Sequence, residues 1–168
     1  MSGMIGASGK TRRVKEFRSS GTWTKPSDAV KTVDIFAVGG GGGSDANLGG
    51  QGGAVTRISV DVTSKSSWAV SIGAGGASQA SGGNTEFDNV VIAVGGAGSA
   101  MSAPTVGASG FPGGADGFGG HGLPGAHGGL VLGNGARRAL AGVANTGAGA
   151  SAGTLAGGSG YLRIEWEE

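Results

Sequence analysis

The sequence contains no cysteine. That absence removes a disulfide framework, a thiolate zinc site and a cysteine nucleophile together. Aromatic residues make up 5% and charged residues 14% of the 168 positions, and only 4 are proline. Large side chains are therefore scarce, and an ordinary packed core running the whole length is not expected. The formal net charge of +1 excludes nucleic-acid binding by bulk charge, and equally the charge-swollen type of disorder. No apolar run reaches the ~18 residues of a membrane-spanning helix. No stretch combines helical periodicity with caps. Met1 to Arg13 places its basic residues after small ones and has no apolar segment, so it does not read as a secretory signal. The expectation is a chain that folds and works where it is made.

What the chain does have is glycine, 41 residues of 168, against an average usage of about 7%. Glycine loses more conformational freedom on folding than any other residue, and ordering a residue costs about 1–2 kcal/mol. With few large side chains to offset that cost, the composition favours packing identical copies around an axis, and the expected partner is a homotrimer.

Short strand patterns stand out between the glycines. Thr32 to Val38 alternates and runs into five consecutive glycines, Gly39 to Gly43. Ala54 to Val62 is the best strand, with Ile58, Val60 and Val62 on one face. Trp68 to Ile72 follows a polar turn, Val90 to Val94 reads as a buried strand, and Tyr161 to Trp166 alternates at the C-terminus. Val14 to Phe17 and Thr22 to Thr24 are weaker candidates. Trp23, Trp68 and Trp166 fall on these strands and are expected in the core or at a subunit interface.

A second period appears further on. From Gly107 to Gly128 every third residue is glycine, Asp116 excepted, and Gly147, Ala150, Gly153 and Ala156 continue with small residues at the same spacing. Three residues per turn is the repeat of the polyproline-II helix, and glycine along one edge lets neighbouring backbones approach closely. Collagen uses that edge but needs a long run rich in imino acids, which two prolines in this run do not supply. A bundle of short helices hydrogen-bonded sideways fits better, since buried amides must be paired. The expected fold class is all-β: a short-stranded β-sandwich-like domain with a glycine-rich polyproline-II-helix bundle, assembled as a trimer. The organisation reads as an N-terminal arm at 1–15, a β-strand domain with glycine-rich loops at 16–94, the polyproline-II-like region at 95–160, and a closing strand at 161–168.

No catalytic constellation emerges, and neither enzyme activity nor a cofactor is expected. Gly39 to Gly43 is followed by no Gly-Lys-Ser/Thr, so it is not a phosphate loop. His121 and His127 would need a carboxylate such as Asp116 to hold a metal; otherwise they are loop histidines that make hydrogen bonds, and no metal site is assigned. Phe111, Phe118 and Leu123 lie in the same low-charge stretch, Asn89 to Ala136, whose one charged residue is Asp116. They read either as apolar platforms for a sugar or a protein loop, or as packing against a neighbouring chain. Arg137 and Arg138 would contact an acidic lipopolysaccharide or solvate a turn. Seven of the 12 basic residues fall between Lys10 and Lys31, which suits an arm docking on an acidic protein or a solvated tail.

Phe17-Arg18-Ser19-Ser20-Gly21-Thr22-Trp23-Thr24-Lys25-Pro26 resembles the opening of the glycine-rich domain found at the ends of tailed-bacteriophage tail fibres and tail-tip proteins. The strand ending at Val38 before Gly39 to Gly43 is similar to that family's step from strand into polyglycine. Gly49 to Gly53 before the next strand, Val70 to Gly76, Gly82 to Phe87, and the close from Gly157 to Trp166 follow in the family's order. The resemblance covers about residues 16 to 168. It implies a virion component of the tail, assembled in the host cytoplasm, often trimeric and often distal. Its glycine-rich loops would bind a bacterial surface receptor, either a polysaccharide or an outer-membrane protein. Receptor contact is then expected from Phe111, Phe118, His121, Leu123 and His127, and contact with other phage tail proteins from the N-terminal arm. A purely structural tail or baseplate component is the alternative, and an ice-binding protein a more remote one. The family's usual long shaft is not seen in this sequence.

Overall fold

Alternation of apolar and polar residues folds this chain into strands, and the registers between them build two antiparallel sheets. The computed structural model describes residues 10–45, 49–98, 141–150 and 153–168. Eight strands are present among them: β1 (Arg12–Phe17), β2 (Gly21–Thr24), β3 (Thr32–Val38), β4 (Val55–Asp61), β5 (Ser67–Ser71), β6 (Thr85–Phe87), β7 (Val91–Ala93) and β8 (Tyr161–Glu167). One sheet has the order β1-β8-β3-β4 and the other β2-β5-β6-β7. The described residues are all-β, with no helix.

The inward face of each strand is the apolar one. Val33, Ile35 and Ala37 of β3 meet Leu162 and Ile164 of β8 in one sheet, and Trp23, Trp68, Val70, Phe87, Val91 and Ala93 face them from the other. Phe87 is fully buried. Its ring stacks on Trp68 at 5.2 Å between centroids and lies 6.1 Å from Trp23, whose other neighbour is Trp166 at 5.7 Å. The three tryptophans thus concentrate much of the scarce large apolar surface in one place.

Two sequence expectations change here. Val90 to Val94 is not buried on both sides: Val91 and Ala93 point inward, while Val90, Ile92 and Val94 are about half exposed. The run is uniformly aliphatic, so the period-2 alternation of burial has no polar partner to reveal it. Ile58 is likewise 49% exposed although Val60 and Val62, of the same parity, are buried. β6 was not anticipated. Its three residues precede a turn at Asp88 (φ 49°) and Asn89 (φ 58°), closed by Val90 N–H donating to Phe87 O at 2.9 Å. Asp and Asn tolerate the left-handed region better than other non-glycine residues.

Val38 pairs with both Val55 and Tyr161, and Thr85 pairs with Ala93. The end of β3, the start of β4, the start of β6, the end of β7 and the start of β8 therefore gather at one end of the sandwich. The glycine-rich segments all leave from that end.

Candidate functional site

At that end the five-glycine run becomes the centre of a backbone lattice. Gly39, Gly40 and Gly41 donate in turn to the carbonyls of Ala54, Gly83 and Gly158, at 3.0, 2.9 and 2.8 Å. Gly42, Gly43 and Ser44 repeat the rotation, donating to Gln51, Ala80 and Leu155 at 2.7, 2.9 and 2.9 Å. Each of the three acceptor segments is thus met twice, at a spacing of three residues on both sides. The carbonyls of the same run accept from three further segments: Gly40 from Gly96, Gly41 from Gly76, Gly42 from Ala150, and Ser44 from Gln79. Six segments surround the run, and Gly39 to Ser44 are all buried.

This environment explains why five consecutive glycines are needed. A Cβ at any of Gly39 to Gly43 would come closer than 3.0 Å to a neighbouring carbonyl oxygen: Val94 for Gly39, Ala74 for Gly40, Ala148 for Gly41, Ala97 for Gly42 and Ala77 for Gly43. Outer segments carry glycine where they face the centre, as at Gly50 and Gly53, whose Cβ atoms would strike the carbonyls of Gly42 and Gly39. Ala74, Ser78, Ser81 and Asn84, turned outward, are exposed. The lattice is assembled from loops on both sides of residue 95. All six neighbours of the central run belong to the same chain, so pairing these amides requires no second copy.

Beside the lattice, the outward face of the first sheet carries a row of side chains set by register. Glu16 of β1, Arg163 of β8, Phe36 of β3 and Arg57 of β4 stand opposite one another across all four strands. The guanidinium groups of Arg57 and Arg163 lie 6.0 and 5.5 Å from the Phe36 ring centre, and Tyr161 packs edge-on against it at 6.4 Å. Glu165 is buried and paired with both Arg12 and Arg163, the latter at 2.9 Å. The Nε of Arg163 is buried without a hydrogen-bond partner.

Two clefts flank this row. One, of about 550 Å³, is bounded by Arg18, Phe36, Tyr161 and Arg163 and by the turn at Ala144 to Thr146. The other, of about 600 Å³ at the far end of the strands, mixes Lys10, Arg12 and Lys31 with Asp34, Glu165 and Glu167. Burial pushes the Tyr161 phenol up to about 12, and its hydrogen bond to Glu16 adds to the rise. The folded state therefore favours the neutral phenol. Stability from this source is complete below the ordinary pKa of about 10 and is lost as the pH rises through about 12. Because the chain has 1 tyrosine, its phenolate absorbance reports this site alone. An alkaline titration of the native protein is expected to show a midpoint near 12; one near 10 would place Tyr161 in water.

The sequence-derived candidates Phe111, Phe118, His121, Leu123 and His127 lie outside the described residues, as do Arg137 and Arg138. So does the Gly107 to Gly128 register. Arg12 to Lys15, assigned to the arm from sequence, form most of edge strand β1. Among the described residues no group of three or more His, Asp or Glu side chains could hold a metal ion. The row through Phe36 and Arg163 escaped the sequence reading, because only long-range register brings β1, β8, β3 and β4 side by side.

The order of elements that builds this lattice also matches a known family. Residues 16–167 match the glycine-rich domain family. The chain belongs to that family. No curated protein sequence matches it. The matched span of this glycine-rich domain runs from the last residues of β1 to the end of β8, so it takes in both sheets and the described lattice.

Proposed function

We propose that this glycine-rich domain is a non-enzymatic bacteriophage tail-fibre or tail-tip protein that attaches the virion to the bacterial surface by non-covalent receptor binding. The observation that carries the reading is how the lattice holds the described residues on either side of 99–140. Gly96 donates to Gly40 on one side of that segment, and Gly142 donates to Ala156 at 2.9 Å on the other. The described residues that flank the segment holding Phe111, Phe118, His121, Leu123 and His127 are thus hydrogen-bonded into the lattice. A pre-organised base leaves less entropy to lose on binding, which favours affinity from a small contact area. The order of glycine-rich motifs along the chain supports a tail protein in particular.

The rotation of hydrogen bonds through three neighbours at a spacing of three supports polyproline-II geometry for the lattice segments, since that helix has three residues per turn. A homotrimer is supported by exposed aliphatic side chains. Ile58, Val90, Ile92 and Val94 are each about half exposed. They lie where the edges of the two sheets meet, with Thr56 Oγ1 donating to Ile92 O at 3.3 Å and Ala54 N–H donating to Val94 O at 2.8 Å. Apolar groups lined up on such a seam suit a contact with another copy.

Purified protein is expected to adsorb to host cells and to block infection, with a solution mass of three chains. Replacing Phe118 and His121 with Ala should abolish adsorption while the mass and melting temperature hold. Unchanged adsorption would remove recognition from these side chains, and no adsorption by the unaltered protein would favour a purely structural tail component.

A further inference from the structure

We infer that the cleft between the outward face of β8 and the Ala144 to Thr146 turn is a binding subsite for an acidic sugar, a pyranose carrying a carboxylate. The choice of a surface saccharide rests on the attachment reading above; the cleft and its chemistry do not. At about 550 Å³ it has room for one or two sugar rings.

Its lining supplies the three kinds of contact a sugar ring uses. Phe36, half-buried and backed edge to face by Tyr161 at 6.4 Å, gives an apolar wall for the C–H face of a pyranose. Glu16, which accepts the Tyr161 hydroxyl, offers a carboxylate that can also accept from sugar hydroxyls. Arg18 and Arg163 supply planar donors that match a carboxylate. Arg18 is 69% exposed and meets Glu16 only at 3.5 Å. Arg163 holds Glu165 through Nη2, and its side chain is 32% exposed. With Arg57, whose guanidinium stands over the Phe36 ring, three arginines face the two carboxylates of Glu16 and Glu165, an excess positive charge that selects an anionic over a neutral sugar.

The turn opposite passes twice through the left-handed region. Asn145 has φ 61° and Gly147 has φ 65°. The turn is fixed by Asn145 N–H donating to Ser159 Oγ at 2.9 Å, and by Thr146 Oγ1, which donates to Val143 O at 2.6 Å and accepts from Ala148 N–H at 3.2 Å. Among the described residues, the side chain of Asn145 has only a 3.5 Å contact to Ser159. Asparagine tolerates the left-handed region better than most residues, and here it sets its side-chain amide on the rim of the cleft.

The test is an NMR titration of the isotope-labelled full chain with sodium glucuronate and, separately, with glucose. Glucuronate is expected to shift the amides of residues 144–146 and 161–163 saturably, and glucose to leave them in place. Arg18→Gln and Asn145→Gly should each weaken glucuronate binding about tenfold or more, as expected for losing a hydrogen bond to a charged group. Arg18 is exposed and glycine accepts the Asn145 backbone, so both variants should fold. Lys31→Gln, in the other cleft, should bind as the parent does. Glucuronate causing no shift, glucose binding equally well, or both cleft variants binding like the parent would each overturn the inference. Adsorption to cells is read in parallel. Glucuronate binding without adsorption overturns the attachment reading and leaves the site standing. Adsorption without glucuronate binding does the reverse.

Discussion

Gly42→Ala is expected to destabilise this protein strongly although it adds a single methyl group. Gly42 donates to Gln51, accepts from Ala150, and would aim its Cβ at the Ala97 carbonyl from closer than 3.0 Å. The obstacle is backbone, so no side chain can rotate away. Either Gly95 to Gly98 shifts outward or the central run moves, and each route breaks hydrogen bonds to buried segments. Overpacking costs about 1–3 kcal/mol, and each amide left unpaired costs about 1–3 kcal/mol more. A total of about 2–6 kcal/mol would consume much of the roughly 5–15 kcal/mol that holds a domain together. Gly21→Ala is the matched control. Its Cβ would meet only the Phe17 ring at 3.7 Å, an ordinary contact, and replacing a strand glycine with alanine is worth about 0.5–1 kcal/mol of stabilisation. Denaturant midpoints should move in opposite directions. Equal midpoints for the two variants would remove the close approach at Gly42.

Phe87→Ala should cost about 3–5 kcal/mol, the usual range for deleting a fully buried phenylalanine. The ring is 0% exposed and lies against Trp68 and Trp23, so its removal opens a cavity where the chain's few large side chains converge. Neither indole can fill that space without leaving its own strand register, in which Trp23 stands opposite Trp68. Unfolding followed by tryptophan fluorescence checks both points. The native emission should shift towards that of solvated indole as the midpoint falls. A loss under about 1 kcal/mol would mean that the cavity collapses freely and that the aromatic cluster is not the centre of the core.

The two predictions probe parts of the molecule that were legible to different degrees. β3, β4, β5 and β8 could be read from alternation because polar residues interrupt the outward face of each. β6 could not, since three residues give no period to count, and β7 hid its exposed face behind a uniform run of aliphatics. The five-glycine run was visible as a run, but its purpose was not. A Cβ is forbidden at every position only because six segments, distant in sequence, surround it. The candidate cleft was less legible still. Arg18, Phe36, Asn145 and Arg163 share no motif and meet only through the pairing of β8 with β1 and β3.

The sequence by itself determined the class of this protein: strands where the side-chain period is two, close-packed backbone where glycine dominates, and no cysteine chemistry. Those features follow from local dihedral preferences and from the size of each side chain, which any short window displays. Tertiary structure alone decided which segments became neighbours, that Gly39 to Gly43 sit at the centre, and that Arg163 lies between Glu16 and Phe36. Such contacts depend on register between segments as far apart as β1 and β8. A strand displaced by one residue keeps its composition and period, yet it turns every side chain to the other face of the sheet.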